Sequence, residues 1–127
     1  MEQSKKLIKL GLNPKSSDMR HVFCVTLMTK DIYQDIYQLE IGGESESNEK
    51  YYIPAWSLSA LLGLMPKLYE LEDDPNDGGC QPNLCKGWDN NQWHIVYRSS
   101  IYITEWYDDP IDAAFEMVCW LKDQEII

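Results

Sequence analysis

The amino-acid sequence predicts a two-layer α+β fold, in which an antiparallel β-sheet packs against about three short helices. Three observations lead to this prediction. An amphipathic helix closes the chain, strand-like segments fill its middle, and short strands alternate with turns between residues 84 and 106. Strands and helices that follow one another in separate runs, and not in strict alternation, favour this class of fold.

The length of 127 residues and the 44% share of hydrophobic residues suit one domain with a real core. We expect a single domain over residues 1–127, with a mobile loop around residues 42–49, which are all polar or glycine. No apolar run approaches the roughly 20 residues of a membrane span, and the N-terminal residues lack the apolar core of a signal peptide. These features predict a cytoplasmic protein without membrane contact, its four cysteines reduced.

The first third of the sequence indicates one helix and two strands. Residues 3–12 form an amphipathic pattern that Gly11 is expected to end, because glycine readily takes the left-handed conformation that follows a last helical turn. Residues 21–28 and 36–41 are rich in β-branched and aromatic side chains, which favour strands.

The middle of the chain indicates a third strand at residues 51–53 and then a second helix. Ser57 is a suitable N-cap, because its hydroxyl can accept hydrogen bonds from the free amides of a first turn. Leu58, Leu61 and Leu62 follow it at helical spacing.

The C-terminal half predicts a three-stranded meander before the closing helix. The expected strands are residues 84–88, 93–97 and 101–106, with turns at residues 89–91 and 98–100. In the third strand, strict alternation places Tyr102, Thr104 and Trp106 on one face of the sheet.

The closing helix, residues 108–121, has the clearest local signals. Asp109 is a suitable N-cap, and Pro110 fits the first helical position because its missing N–H is not needed there. A spacing of about 100° per residue aligns the apolar positions Ile111, Ala114, Phe115, Val118 and Leu121, with Met117 and Cys119 on the flanks. Asp112, Glu116 and Asp123 fall on the opposite side. Trp120 lies off the apolar stripe, so either another element covers it, which we expect, or it is exposed for a partner.

The net charge of −10 is unevenly distributed. Residues 1–30 carry a net charge of +4, so the remainder carries −14. Such an acidic body repels nucleic acid and anionic membranes, and we expect it to bind neither directly. The charge gives solubility; two sharper interpretations are that the basic N-terminal segment docks on the acidic body, or that the acidic surface binds a basic partner.

Three parts of the sequence together resemble small uncharacterised proteins from prophages and mobile elements of gut bacteria. The first is the closing helix. The second is residues 54–62, and the third is residues 2–12 continued through Asp18 and Met19. The resemblance lies in packing and capping residues and covers most of the chain. It implies an accessory role in a mobile element, but no activity and no site residue.

Cys80 and Cys85, followed by His94, are the candidate ligands for a metal. Zinc requires three or four nitrogen or sulfur ligands, and two thiolates from one loop supply half of such a site. Cys24, His21 or Cys119 would have to complete it. The alternative is two loop thiols and an ordinary strand histidine, and on this interpretation we expect no metal and no cofactor.

Other chemistry finds little support in the sequence. The acidic loop at residues 73–78 fails the calcium-loop pattern, because Pro75 takes the third ligand position and Leu84 the twelfth. No Gly-x-Ser-x-Gly nucleophile and no phosphate-binding loop is present. We therefore expect no catalytic residue and no enzyme activity.

The aromatic residues of the C-terminal part suggest a protein-binding surface, since tryptophan and tyrosine dominate binding hot spots. The candidate partner-binding residues are Tyr102, Trp106, Tyr107 and Trp120. The leading hypothesis is a non-enzymatic interaction protein of a mobile element, whose partner is another protein or a second copy of the chain. The alternatives are an acidic decoy of nucleic acid that inhibits a basic protein, and a zinc protein or enzyme centred on Cys80, Cys85 and His94.

Overall fold

The fold is taken from a computed structural model of the chain. The described residues are 1–29, 32–41, 52–68, 78–98 and 101–127, with the backbone alone for residues 23–29, 32–38 and 52. The expected mobile loop at residues 42–49 and nearly all of the acidic loop at residues 73–78 lie outside these ranges. Over the described ranges, no helix is long and apolar enough to cross a bilayer.

The chain divides into two compact units, residues 1–60 and 61–127. In each unit a helix packs on antiparallel strands, so the predicted α+β class is confirmed. The division does not decide whether the units act as one domain, and the expectation of a single domain stays a prediction.

The first unit holds a helix and a three-stranded antiparallel sheet. Its elements are α1 (Glu2–Lys9), a 3₁₀ turn (Pro14–Ser16), β1 (Met19–Thr29), β2 (Ile32–Ile41) and β3 (Tyr52–Ala55). The strand order is β2-β1-β3. The three strands expected from sequence are confirmed, and β1 and β2 are longer than expected.

Helix α1 ends as the glycine predicts. Gly11 has φ 83°, and its N–H donates to the carbonyl of Ile8 at 2.9 Å, while the N–H of Leu12 donates to the carbonyl of Leu7 at 3.0 Å. This pair of bonds satisfies two carbonyls that a helix end leaves open. It also brings Leu7 and Leu12 into the buried core of the unit.

The loop between α1 and β1 fixes the start of helix α2 (Leu58–Gly63). The N–H of Ser57 donates to Asp18 Oδ1 at 2.8 Å, and the Ser57 hydroxyl donates to Asp18 Oδ2. The same hydroxyl accepts from the N–H of Ala60 at 3.2 Å, which confirms the predicted N-cap. Nearby, the buried Trp56 donates its indole N–H to Ser16 Oγ at 2.9 Å.

The second unit is built on β4 (Asn83–Lys86), β5 (Trp93–Val96) and α3 (Pro110–Asp123). The two strands are antiparallel, with Leu84 opposite Ile95 and Cys85 opposite His94. Helix α3 packs on β5 and buries Ile95 completely.

Helix α3 begins as predicted but is rotated relative to the expected apolar stripe. Asp109 caps it, accepting from the N–H of Ile111 at 2.9 Å, and Pro110 is its first residue. The fully buried positions are Ala113, Ala114, Met117, Val118 and Leu121. Ile111 and Phe115, expected at the centre of the stripe, are only half-buried because the contact surface lies toward Ala113 and Met117.

The predicted third strand of the meander is wrong. Within the described part of residues 98–107, strand-like pairing is limited to two isolated bridges, Ile103 with Val96 and Tyr107 with Trp93. The first predicted strand is also too long, because β4 ends at Lys86 and leaves Trp88 in the turn that follows.

Candidate partner-binding surface

A β-bulge interrupts the pairing of residues 101–107 with β5. Trp93 and Tyr107 exchange two backbone hydrogen bonds, at 2.6 and 2.8 Å, and the N–H of Thr104 donates to the carbonyl of Ile95 at 3.0 Å. His94 is therefore opposite two residues, Glu105 and Trp106, instead of one. An extra residue of this kind bends the chain and changes the direction of its side chains.

Side chains replace the backbone bonds that the bulge removes. The buried Thr104 hydroxyl accepts from the N–H of Ile95 at 2.9 Å, and the N–H of Glu105 donates to Glu116 Oε2 in α3 at 3.1 Å. The N–H of Ile95 is buried and needs such a partner, whereas Glu105 is exposed and its bond to Glu116 connects the bulge to α3.

The bulge places Trp106 against His94. The two rings are stacked, with centroids 3.9 Å apart and planes 14° apart. Trp106 nevertheless keeps 41% of its surface exposed, as does the neighbouring Ile103. Nδ1 of His94 is buried without a hydrogen-bond partner in the described part of the chain, so stacking is the contact that defines the position of this ring.

Glu116 joins helix α3 to the same segment. Its Oε1 accepts the hydroxyl of Tyr102 at 2.7 Å. Burial and the bond to Glu116 raise the pKa of Tyr102 to about 12, and a hydrogen bond to Glu116 together with burial raises the pKa of Tyr107 to about 12. Both hydroxyls therefore keep their protons to a higher pH than that of an ordinary tyrosine. Glu116, expected on the side opposite the apolar stripe, is half-buried instead of exposed, because Tyr102 and Glu105 lie against that side of α3.

Trp120 is covered, as the sequence predicts. Its ring stacks on that of Tyr102, with centroids 4.5 Å apart and planes 6° apart. Of the four candidate partner-binding residues, Tyr102, Tyr107 and Trp120 are half-buried around Glu116, and Trp106 is the exposed one. Their role in binding stays a prediction.

Trp88, which the sequence analysis placed at the end of a strand, is the most exposed large apolar side chain of the described residues, at 104% of its reference area. It lies in the turn between β4 and β5. The turn is closed by the N–H of Gly87, which donates to the carbonyl of Gln92 at 2.8 Å, and by the N–H of Gln92, which donates to Asn90 Oδ1 at 3.1 Å. Asn91 supplies the left-handed residue, with φ 53°.

The turn is also tied to the start of α3. The side-chain amide of Gln92 donates to Asp108 Oδ1 at 3.1 Å. This bond brings the carboxylates near the helix start to the end of the hairpin that carries Trp88. The exposed acids along these two segments are Asp89, Glu105, Asp108 and Asp109.

The structure brings two of the three candidate metal ligands close in the fold. Cys85 and His94 face each other across β4 and β5, whereas Cys80 is bridged to Leu68 in a separate pair. In the described ranges, no three side chains of His, Cys, Asp or Glu come together in a way that could hold a metal ion. The side chain of Cys24 lies outside the described residues. Cys80 instead acts on Tyr97, whose pKa is raised to about 12 by burial and by this neighbouring thiol.

The sequence contained a signal for Trp88 that the strand prediction overlooked. Gly87 precedes Trp88, and Asp89, Asn90 and Asn91 follow it, a run whose composition is typical of a turn. A tryptophan inside such a turn has no strand neighbour to cover it.

No protein-family model matches the chain, and no curated protein and no solved structure matches it either.

Proposed function

We propose that the chain is a non-enzymatic accessory protein that recognises another protein through the surface of its second unit. The observation that carries the proposal is the complete exposure of Trp88 on a turn with a defined conformation. A partner that covers Trp88 removes its apolar surface from water, and tryptophan is among the residues most enriched in binding hot spots. Since the turn is already ordered, little conformational entropy is lost when Trp88 is buried by a partner.

Trp106 and Ile103 are two further exposed apolar side chains of the second unit, and exposed acids close to them in the sequence give this region its charge. Four exposed carboxylates lie along the turn and the segment before α3. They favour a partner whose own surface is basic. An accessory role of this kind agrees with the resemblance to small prophage proteins. A cytoplasmic location is also part of the proposal.

A specific observation also favours a second candidate, an acidic decoy of nucleic acid. Asp89 and Asp108 belong to segments that the Gln92 bond holds together, so carboxylates concentrate at one end of the hairpin. In this case the partner is a nucleic-acid-binding protein. Added duplex DNA is then expected to compete for the same site on the partner and to release the acidic chain.

Site-specific photo-cross-linking in the source cells tests the main proposal. A photoreactive amino acid at position 89, beside Trp88, is expected to give one discrete adduct with a partner protein. In a W88A background the yield of this adduct is expected to fall at least about tenfold, as for a hot-spot residue. The matched control places the same amino acid at position 123, on the exposed end of α3, where no adduct is expected.

The proposal is wrong if position 89 gives no more adduct than position 123, or if W88A leaves the yield unchanged. W88A is a suitable variant because a fully exposed side chain contributes little to folding. We expect its free energy of unfolding to lie within about 0.5 kcal/mol of the unsubstituted protein.

A further inference from the structure

One face of the Trp106 ring is occupied and the other is available to a partner. His94 covers the first face at a centroid distance of 3.9 Å. Trp106 keeps 41% of its surface exposed, and the ring face opposite His94 is the one that this stack leaves uncovered. A tryptophan fixed from behind by a second ring is a flat platform of defined orientation.

The groups around this platform are anionic. Glu105 precedes Trp106 in the bulge, and Asp108 follows two residues later, both exposed. Between residues 78 and 127 the chain has eight carboxylates and three cationic side chains. One of these cations, Lys86, already lies over an aromatic ring, 5.4 Å from the centre of Trp93. The negative face of an indole beside carboxylates attracts a cation more strongly than either group alone.

We propose that the outer face of Trp106 binds an arginine of a basic segment in the partner protein. The planar guanidinium stacks on the indole, and its N–H groups pair with Glu105 or Asp108. Arginine fits better than lysine, because its delocalised, weakly hydrated group stacks on rings and matches a carboxylate with two parallel hydrogen bonds. This inference rests on the proposed function and specifies the chemistry of the partner at a second position, apart from Trp88.

The negative charge around Trp106 disfavours other occupants. A second copy of the chain brings a further net charge of −10, which opposes self-association at this acidic surface. Nucleic acid and anionic lipid are repelled for the same reason. A basic protein segment is the occupant whose charge complements the four exposed carboxylates.

The test is an NMR titration of the indole N–H signals with two short peptides. One is acetyl-Gly-Arg-Ile-Arg-Gly-amide, and the other has lysine in place of both arginines. With the arginine peptide, the Trp106 signal is expected to move along a saturating curve. The lysine peptide is expected to bind roughly two- to fivefold more weakly. Substitution of Glu105 and Asp108 by Gln and Asn is expected to weaken both peptides, and added salt to do the same.

Matched variants separate this site from general exposure. W106L removes the indole reporter, so binding to this variant is followed through the backbone amide signals of Glu105 and Tyr107, whose saturating shifts are expected to disappear while the amide signals of α3 stay in place. I41A, at an exposed apolar side chain of the first unit, is expected to leave the Trp106 response unchanged. Equal affinity for the two peptides, a response of Trp88 equal to that of Trp106, or full binding by W106L would overturn the inference. A cross-linked adduct at position 89 together with any of these outcomes leaves the proposed function standing and removes the arginine site alone.

Discussion

The carboxylate of Glu116 accepts the hydroxyl of Tyr102 at 2.7 Å and the N–H of Glu105 at 3.1 Å, so that one helical side chain supports the bulge that positions Trp106. Tyr102 in turn stacks on Trp120. The exposed platform and the half-buried aromatic cluster therefore depend on the same carboxylate.

Removal of this carboxylate is expected to destabilise the second unit. E116A leaves the Tyr102 hydroxyl and the Glu105 N–H without their acceptor, which costs about 1–3 kcal/mol in the free energy of unfolding. Urea denaturation followed by far-UV circular dichroism measures the loss. D123A, at an exposed position of the same helix, is the control and should change stability by less than about 0.5 kcal/mol. Equal losses for the two variants would contradict the role given to Glu116.

The same carboxylate is expected to control the titration of two tyrosines. Tyr102 and Tyr107 each have a pKa raised to about 12, in part by Glu116, so E116Q should lower both values toward the ordinary value of 10.0. Tyr97 is the internal control, because burial and Cys80 raise its pKa to about 12, and not Glu116. A tyrosinate absorbance titration should therefore show two tyrosines titrating earlier in E116Q, while Tyr97 still titrates late.

These raised values also predict how stability changes in alkali. A tyrosine whose pKa is higher in the folded state favours folding below its unfolded pKa, near 10.0, and loses this contribution as the pH rises toward about 12. The midpoint of urea unfolding should therefore fall between these pH values. The fall should be smaller in E116Q, and an equal fall in both proteins would count against the assignment.

Asp18 is expected to give the first unit an acid-sensitive contact. Burial alone raises the pKa of this carboxyl, but the hydroxyl and N–H of Ser57 outweigh burial and hold it below its ordinary value of 3.8. A lowered pKa stabilises the folded state above pH 3.8, and the contribution is lost as the pH falls through the folded value. D18N imitates the protonated group. It should be less stable than the unsubstituted protein near neutral pH, and the two stabilities should converge as the pH falls below the folded-state pKa of Asp18.

Position 87 is expected to require glycine, because the side chain of Asn90 occupies the space that a Cβ atom would take. A Cβ atom at this position would be 1.7 Å from Asn90 Oδ1, so G87A must displace the side chain that accepts from the N–H of Gln92. We expect G87A to cost about 1 kcal/mol through the lost hydrogen bond. Because N90A loses the same bond by itself, the double variant should cost little more than N90A. Additive losses in this cycle, measured by urea unfolding, would argue against the contact.

Helix α3 is followed by a glutamate in the left-handed conformation, where glycine is expected to be more stable. Glu125 has φ 57°, and its N–H donates to the carbonyl of Lys122, while that of Ile126 donates to the carbonyl of Leu121. Helix α1 ends with the same two bonds, but around Gly11. Glycine avoids the Cβ strain of this conformation, so E125G should raise the free energy of unfolding by about 0.5–1 kcal/mol. E125A keeps the Cβ and removes the charge, and it should not reproduce the gain.

Sequence patterns identified the elements whose signals are local. Asp109 and Pro110 mark the start of α3, Ser57 caps α2, and Gly11 ends α1, because each acts within one helical turn of its own position. Strands β1 and β2 were also identifiable from composition, since both segments contain the β-branched and aromatic residues that favour pairing, whereas their register was not predicted.

The bulge was not predictable in this way. Residues 101–106 alternate as a strand does, and nothing nearby in the sequence indicates that Thr104 and Glu116 take over the backbone donors of Ile95 and Glu105. These bonds join residues nine and eleven positions apart in the sequence, and they depend on how helix α3 and residues 101–107 pack on β5. Glu116 is accordingly half-buried on the flank of α3, where Tyr102 and Glu105 contact it, and not in the fully buried stripe.

The solvent exposure of Trp88 also has an optical consequence. Trp56 is buried, Trp106 and Trp120 are stacked on other rings, and Lys86 lies over Trp93, so the five tryptophans of the chain occupy different environments. An aqueous quencher is expected to reach Trp88 first, and the emission of Trp88 is expected to be the reddest of the five. Capture of this side chain by a partner should therefore shift the intrinsic fluorescence to shorter wavelength, which makes the molecule its own label in a binding assay.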